Sequence, residues 1–201
     1  GVDPKKIVVI PYGVDLTRFK NTRLRGSSSK VRSSNNKRKI VLTIARLEKE
    51  KGMEDLEAVA KALPQYDFKV IGRGSYVPKG DNITVTTVDY KNIHKEYQKA
   101  DLFFLPSRTT PTWEEQYGMV LVEAMASGLP IVTTNTGAIP EVVGPAGIIV
   151  KERDTEGMVE SIDGALSYKC NVQTLSRAGL ARVERLYDAK KVATKLAKLY
   201  S

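Results

Sequence analysis

From residue 39 onward, strand-sized apolar runs alternate with longer segments of helical spacing. Residues 40–45, 68–71, 83–88, 102–105, 130–134 and 148–150 read as strands, rich in β-branched and aromatic side chains and bounded by polar, Gly or Pro positions. Residues 53–63, 93–100, 118–127, 155–167, 172–186 and 189–199 read as helices, with a single helical turn at 139–143. Pro64 stops the first helix and Gly128 closes the third. An earlier run, Lys6-Ile-Val-Val-Ile10, is β-branched and ends at Pro11-Tyr-Gly13, so it reads as a first strand and a turn.

Repeated strand–helix alternation with short connections implies right-handed βαβ crossovers. The predicted fold class is α/β, a Rossmann-like parallel sheet with helices on both faces. Ligands of such sheets lie beyond the carboxyl ends of the strands. The loops after Ala45, Ile71, Val88, Leu105 and Thr134 are therefore expected to converge on one cleft. The chain divides into a lead-in at 1–19, a polar segment at 20–38, the Rossmann-like body at 39–168 and C-terminal helices at 169–201.

At 201 residues, with 41% hydrophobic and 27% charged side chains, the composition is that of a soluble globular domain. No apolar run approaches the roughly 20 residues of a membrane span, and the first residues lack the apolar core of a signal peptide. A single cysteine, Cys170, excludes an internal disulfide and suits a reducing, cytoplasmic compartment. One histidine, His94, excludes a multi-histidine metal site and a self-contained Ser-His-Asp triad; it reads as solvated on a helix surface.

The formal charge of +9 looks like a nucleic-acid signal until it is located. Lys20, Arg23, Arg25, Lys30, Arg32, Lys37, Arg38 and Lys39 fall in one stretch without an acidic residue, and elsewhere 24 basic residues face 23 acidic ones. The stretch is Ser- and Asn-rich and carries no interleaved aromatics, which argues against nucleic acid as the partner. Two readings remain: a solvated loop, or electrostatic contact with the anionic inner face of a membrane.

Candidate chemistry concentrates in Glu115-Gln-Tyr-Gly-Met-Val-Leu-Val-Glu123, where seven residues separate two glutamates. The amides of Gly118, Met119 and Val120 open a helix, and such a terminus suits a diphosphate. Glu123 is flanked on both sides by apolar residues of that helix, so its carboxylate is expected to be buried and to need partners. Sugar hydroxyls are candidate partners. Asp101 reads as a structural cap, and Trp113 and Tyr117 suit sugar stacking or plain loop packing equally. Gly72-Arg-Gly74 lacks the third glycine of a dinucleotide fingerprint, because position 77 is Val77, and no Walker motif is present.

Four ordered blocks carry a resemblance to the family-4 retaining glycosyltransferases of GT-B fold. They are Pro11-Tyr-Gly-Val-Asp-Leu-Thr-Arg-Phe19, Ala45-Arg-Leu47 through Lys51-Gly52, Ala100-Asp-Leu-Phe-Phe-Leu-Pro-Ser107, and 115–130 with the following 133–143. The resemblance implies the C-terminal, nucleotide-sugar-binding half of such an enzyme, with the acceptor-binding N-terminal domain outside this chain and no transfer by the chain alone. It implies that Arg46 and Lys51 clamp the donor diphosphate, a sensible pairing of a bidentate and a point cation. It further implies that Glu123 accepts from ribose, that Glu115 touches the transferred sugar near the reacting carbon, and that the base lies near Val88, Asp89 and Tyr90. The donor implied is a UDP- or GDP-sugar, with no cofactor and no metal. A phosphorylase or nucleotide-sugar epimerase on the same fold, and a binding or assembly module without turnover, are the competing readings.

Overall fold

The structure, a computed structural model, describes residues 2–19, 38–167 and 172–200. Six parallel strands form one sheet: β1 (Ile40–Ile44), β2 (Asp67–Ile71), β3 (Ile83–Thr86), β4 (Leu102–Leu105), β5 (Ile131–Thr134) and β6 (Ile148–Val150). The order is β3-β2-β1-β4-β5-β6, the doubly wound arrangement whose direction reverses between β1 and β4. The helices are α1 (Leu16–Phe19), α2 (Met53–Ala62), α3 (Ile93–Lys99), α4 (Met119–Ala126), α5 (Ile139–Val143), α6 (Thr155–Leu166), α7 (Val172–Leu186) and α8 (Ala189–Ala197).

Strand sequence explains strand position. β4 (Leu-Phe-Phe-Leu) and β5 (Ile-Val-Thr-Thr) are buried at every residue, as central strands covered on both faces are. Alternate side chains feed two cores. Leu42, Phe103, Leu105 and Ile131 pack with α3, α4, α5 and α7 on one face. Val41, Phe68, Leu102, Phe104 and Val132 pack with α2 and α6 on the other. The threonines among them do not strand a hydroxyl: Thr43 donates to the Phe104 carbonyl at 2.7 Å and Thr133 to that of Leu105 at 2.8 Å. Asp101 is structural as expected, its carboxylate accepting the Ile40 N–H at 2.8 Å at the start of β1.

Two expectations are corrected. Residues 7–10 do not form a strand, and Ile7, Val8 and Val9 are well exposed. β-propensity is realised only where a strand runs alongside, and this run pairs with neither edge of the sheet. The lead-in is instead clipped to the C-terminal helices: the Val14 N–H donates to Tyr187 O at 2.7 Å, and the Ala189 N–H to Val14 O at 3.1 Å. His94 is half-buried rather than solvated, and its Nδ1 is sequestered without a partner among the described residues.

The basic segment at 20–37 lies outside the described residues. The last two cations of the acid-free stretch, Arg38 and Lys39, belong to the body: Arg38 pairs with Asp67 at 3.1 Å and donates to the carbonyl of Tyr66 at 3.1 Å, and Lys39 donates to the Leu166 carbonyl. Among the described residues no helix is long and apolar enough to cross a membrane.

Candidate functional site

The strand order places the crevice at the carboxyl ends of β1 and β4, because α2 and α4 leave those strands toward opposite faces. Backbone hydrogen bonds show the loops meeting there. The Leu47 N–H donates to Arg73 O at 2.9 Å, joining the loops after β1 and β2, and the Arg108 N–H donates to Glu50 O at 2.8 Å, joining those after β1 and β4. The Ala138 N–H donates to Glu115 O at 2.8 Å and brings in the loop after β5. Arg108 locks this assembly from its side chain: Nε and Nη2 reach the two oxygens of buried Asp55 at 2.5 and 2.6 Å, and Nη1 reaches Glu54 at 2.6 Å. Those hydrogen bonds, Asp55's first, raise the Arg108 pKa further.

Within the crevice Lys51 and Glu115 meet. Lys51 Nζ lies 2.6 Å from Glu115 Oε2, and the two side chains retain only 12% and 10% exposure. The Ser107 hydroxyl donates to the same oxygen at 3.2 Å, and the Trp113 ring centroid lies 4.3 Å from the Lys51 ammonium. Gly118 caps α4 in the left-handed region at φ 74°, with no side-chain cap on the first amides of the helix. Met119 and Val120 provide those amides. The Glu115 side chain packs beside the residue that opens this helix, its Cγ standing 3.7 Å from where a Cβ on Gly118 would sit.

Arg46 is not part of that cluster. Its side chain is 65% exposed and pairs with Glu50, four residues on, at 3.3 Å. Such a surface pair is worth under about 1 kcal/mol, so it does not fix the guanidinium.

Glu123 is buried as expected, at 3% exposure. Its partners in this structure are two phenols, Tyr90 at 2.9 Å on Oε1 and Tyr97 at 2.8 Å on Oε2. Burial raises the Glu123 pKa, against the pull of those hydrogen bonds. Two of its roughly four lone-pair sites are thereby used. Tyr90 in turn lies under Arg18, whose guanidinium carbon stands 4.3 Å from the ring centroid. Val88 backs the core, Asp89 is exposed and accepts the Lys91 N–H at 3.0 Å, and Tyr90 is 61% exposed.

The sequence pattern did not single out Ser107 or Tyr97 as partners of the two glutamates, nor Trp113 as a partner of Lys51. The contacts join residues on separate loops or elements, and no local periodicity encodes them. Tyr117, by contrast, resolves as packing: its hydroxyl donates to Tyr12 O at 2.8 Å, and its ring meets those of Tyr12 and Tyr187 edge-on at 5.2 and 6.2 Å.

A doubly wound parallel sheet with an uncapped helix N-terminus and a cation at its switch point is a Rossmann-like frame suited to an anionic ligand. Comparison with known proteins carries this to a family: residues 25–180 match the glycosyl transferases group 1, and the chain belongs to that family. It is similar to the sulfoquinovosyl transferase SQD2 of Arabidopsis thaliana, at 28% identity across 92% of this chain and 38% of that protein. Among solved structures, Anabaena HepE in complex with UDP and glucose superposes with a TM-score of 0.79 at 20% identity, covering 100% of this chain and 58% of that one. The C-terminal domain of the group 1 glycosyl transferase LpcC from Francisella tularensis superposes with a TM-score of 0.68 at 21% identity, covering 88% and 99%. The chain spans less than half the length of SQD2 and of several other curated relatives.

Proposed function

We propose that this chain is the donor-binding half of a glycosyltransferase that moves a hexose from a nucleoside diphosphate sugar to an acceptor with retention of anomeric configuration. The observation that carries the reading is the Lys51–Glu115 pair beside the bare N-terminus of α4, at the carboxyl ends of β1 and β4. A leaving diphosphate gathers negative charge as the glycosidic bond breaks. A fixed ammonium and a helix N-terminus stabilise that charge without reorganising. Arg46 adds a second cation once it leaves Glu50, at little cost.

In this reading the amides of Gly118, Met119 and Val120 face the phosphates, and Glu123 accepts from ribose through its remaining lone pairs. Glu115 accepts from a hydroxyl of the sugar, and the base lies near Val88, Asp89 and Tyr90. HepE is described in complex with UDP and glucose, which supports a nucleotide sugar as the ligand class here. A further, acceptor-binding domain completes the enzyme in this reading, so the 201 residues alone bind donor and transfer nothing.

Calorimetric titration in chelator with UDP, GDP and their sugars tests the assignment. One nucleotide is expected to bind, and replacing Arg46 and Lys51 together by Ala is expected to weaken it strongly. Undiminished affinity in the double variant would sink the assignment.

A further inference from the structure

Lys51 is held from two sides. Glu115 Oε2 stands 2.6 Å from its ammonium, and the Trp113 ring centroid lies 4.3 Å from it. The ammonium therefore sits largely out of water between an anion and an electron-rich ring face, where both attractions gain strength. Trp113 is itself preset. A two-way backbone bridge ties it to Thr110, the Thr110 N–H donating to Trp113 O at 2.8 Å and the Trp113 N–H to Thr110 O at 3.3 Å.

On the reading proposed above, the same ammonium serves the donor diphosphate. A pair this buried is costly to break unless another anion replaces the one removed. We propose that Trp113 is a positioning residue for diphosphate recognition: its ring holds the Lys51 ammonium while the anionic partner changes from Glu115 to the incoming diphosphate. Lys51 never stands unpaired during the exchange. Glu115 Oε2 is released to accept a sugar hydroxyl, and the Ser107 hydroxyl, at 3.2 Å, keeps that oxygen from being left bare. Recognition of the diphosphate and of the sugar is thereby coupled through one lysine.

A double-mutant cycle on the 201-residue chain tests this, read by calorimetry with UDP and GDP as probes. Trp113→Leu is expected to weaken binding about 5- to 30-fold, the span of a well-desolvated cation–π contact. Trp113→Phe, which keeps a ring face, is expected to restore most of the loss. In a Lys51→Met background, Trp113→Leu is expected to cost nothing more, because the ring acts through the ammonium. No loss from Trp113→Leu, or an equal loss in both backgrounds, overturns the proposal.

Trp113 is the chain's single tryptophan, so its emission reports the contact before any ligand is added. Lys51→Met is expected to shift that emission, and an unchanged spectrum overturns the contact itself. Failure of the underlying reading looks different: the emission shift persists, yet Lys51→Met leaves nucleotide affinity intact or neither nucleotide binds the wild-type chain. Either of those results sinks the assignment of the site and this inference with it.

Discussion

The Tyr97 hydroxyl donates to Glu123 Oε2 at 2.8 Å, and the two side chains are 0% and 3% exposed. Burial dominates at Glu123 and raises its pKa above the usual 4.5, while the hydrogen bonds from Tyr97 and Tyr90 favour the charged form. The folded chain thus holds this proton more tightly than the unfolded chain does. The contribution of Glu123 to stability therefore falls as pH rises from 4.5 through the folded pKa, and is lowest above it. Tyr97→Phe removes a donor that the charged form needs most. The variant is expected to lose about 1.5–3 kcal/mol at neutral pH and distinctly less below pH 4.5, where the carboxyl is protonated in both states. Urea unfolding of both proteins across this range checks it, and a loss independent of pH would refute the coupling.

The two glutamates are expected to separate in binding. Glu123→Gln should weaken UDP or GDP and the corresponding sugar nucleotide alike, because ribose is common to all of them. Glu115→Gln should not weaken the bare nucleotide, since it removes the anion that holds Lys51 at 2.6 Å in the free protein. Calorimetry on both variants decides, and equal losses of nucleotide affinity would contradict the division between ribose and sugar.

Gly52 and Gly118 both sit at positive φ, 69° and 74°, but they are not equally replaceable. A Cβ on Gly52 would lie 1.8 Å from the Pro106 carbonyl oxygen, a backbone atom tied into the loop after β4. A Cβ on Gly118 would come within 2.8 Å of Leu121 Cδ1, the end of a side chain that must shift within the core rather than a fixed backbone atom. Gly118→Ala is expected to cost about 1–2 kcal/mol, the strain of a left-handed residue. Gly52→Ala is expected to cost more and to displace Lys51 with it. Denaturation midpoints for the pair test the order; a milder Gly52→Ala would mean that the two loops part easily.

The central strands of the sheet were legible because they are buried on both faces and announce themselves as apolar or β-branched runs. Leu102–Leu105 as a strand and Ile139–Val143 as a helical turn needed no context beyond their neighbours. Residues 7–10 misled for the converse reason: the same β-branched chemistry occurs where no strand runs alongside. Glu123 stood out through its apolar surroundings and Glu115 through its place at the loop before the helix, while the role of Glu115 and the candidacy of Lys51 rested on resemblance to family blocks. Their partners were illegible. Lys51 and Glu115 lie 64 positions apart, and Tyr90 and Glu123 lie 33 apart, so only the meeting of loops from separate strands creates the contact.

Arg108 is expected to be intolerant even of lysine. Its planar fork spans both oxygens of Asp55, which is 4% exposed, and reaches Glu54 as well. Lysine offers a point charge that cannot make the bidentate contact. Arg108→Ala leaves a buried carboxylate unpaired, a loss of about 3 kcal/mol or somewhat more, tempered because the guanidinium keeps 14% exposure. Arg108→Lys should recover only part of that. Full recovery in chemical denaturation would show that charge alone, rather than the fork, anchors the loop after β4 to α2.

The basic segment offers a test that is independent of the donor site. Lys20, Arg23, Arg25, Lys30, Arg32 and Lys37 carry no nearby acidic residue in the sequence, whereas Arg38 is already engaged by Asp67. Each cation near an anionic bilayer contributes about 1 kcal/mol at best, within a Debye length of the surface. Leu24 and Val31 are the only apolar side chains of residues 20–37, too few for an inserted amphipathic face. Attachment by this segment is therefore expected to be electrostatic and reversible. The chain should sediment with vesicles rich in anionic lipid at low salt and dissociate as ionic strength rises. Replacing the six cations by Gln should abolish sedimentation and leave nucleotide affinity unchanged. Sedimentation that survives the replacement would exclude the segment and direct the search to α8, where Lys190, Lys191, Lys195 and Lys198 cluster beside exposed Leu196 and Leu199.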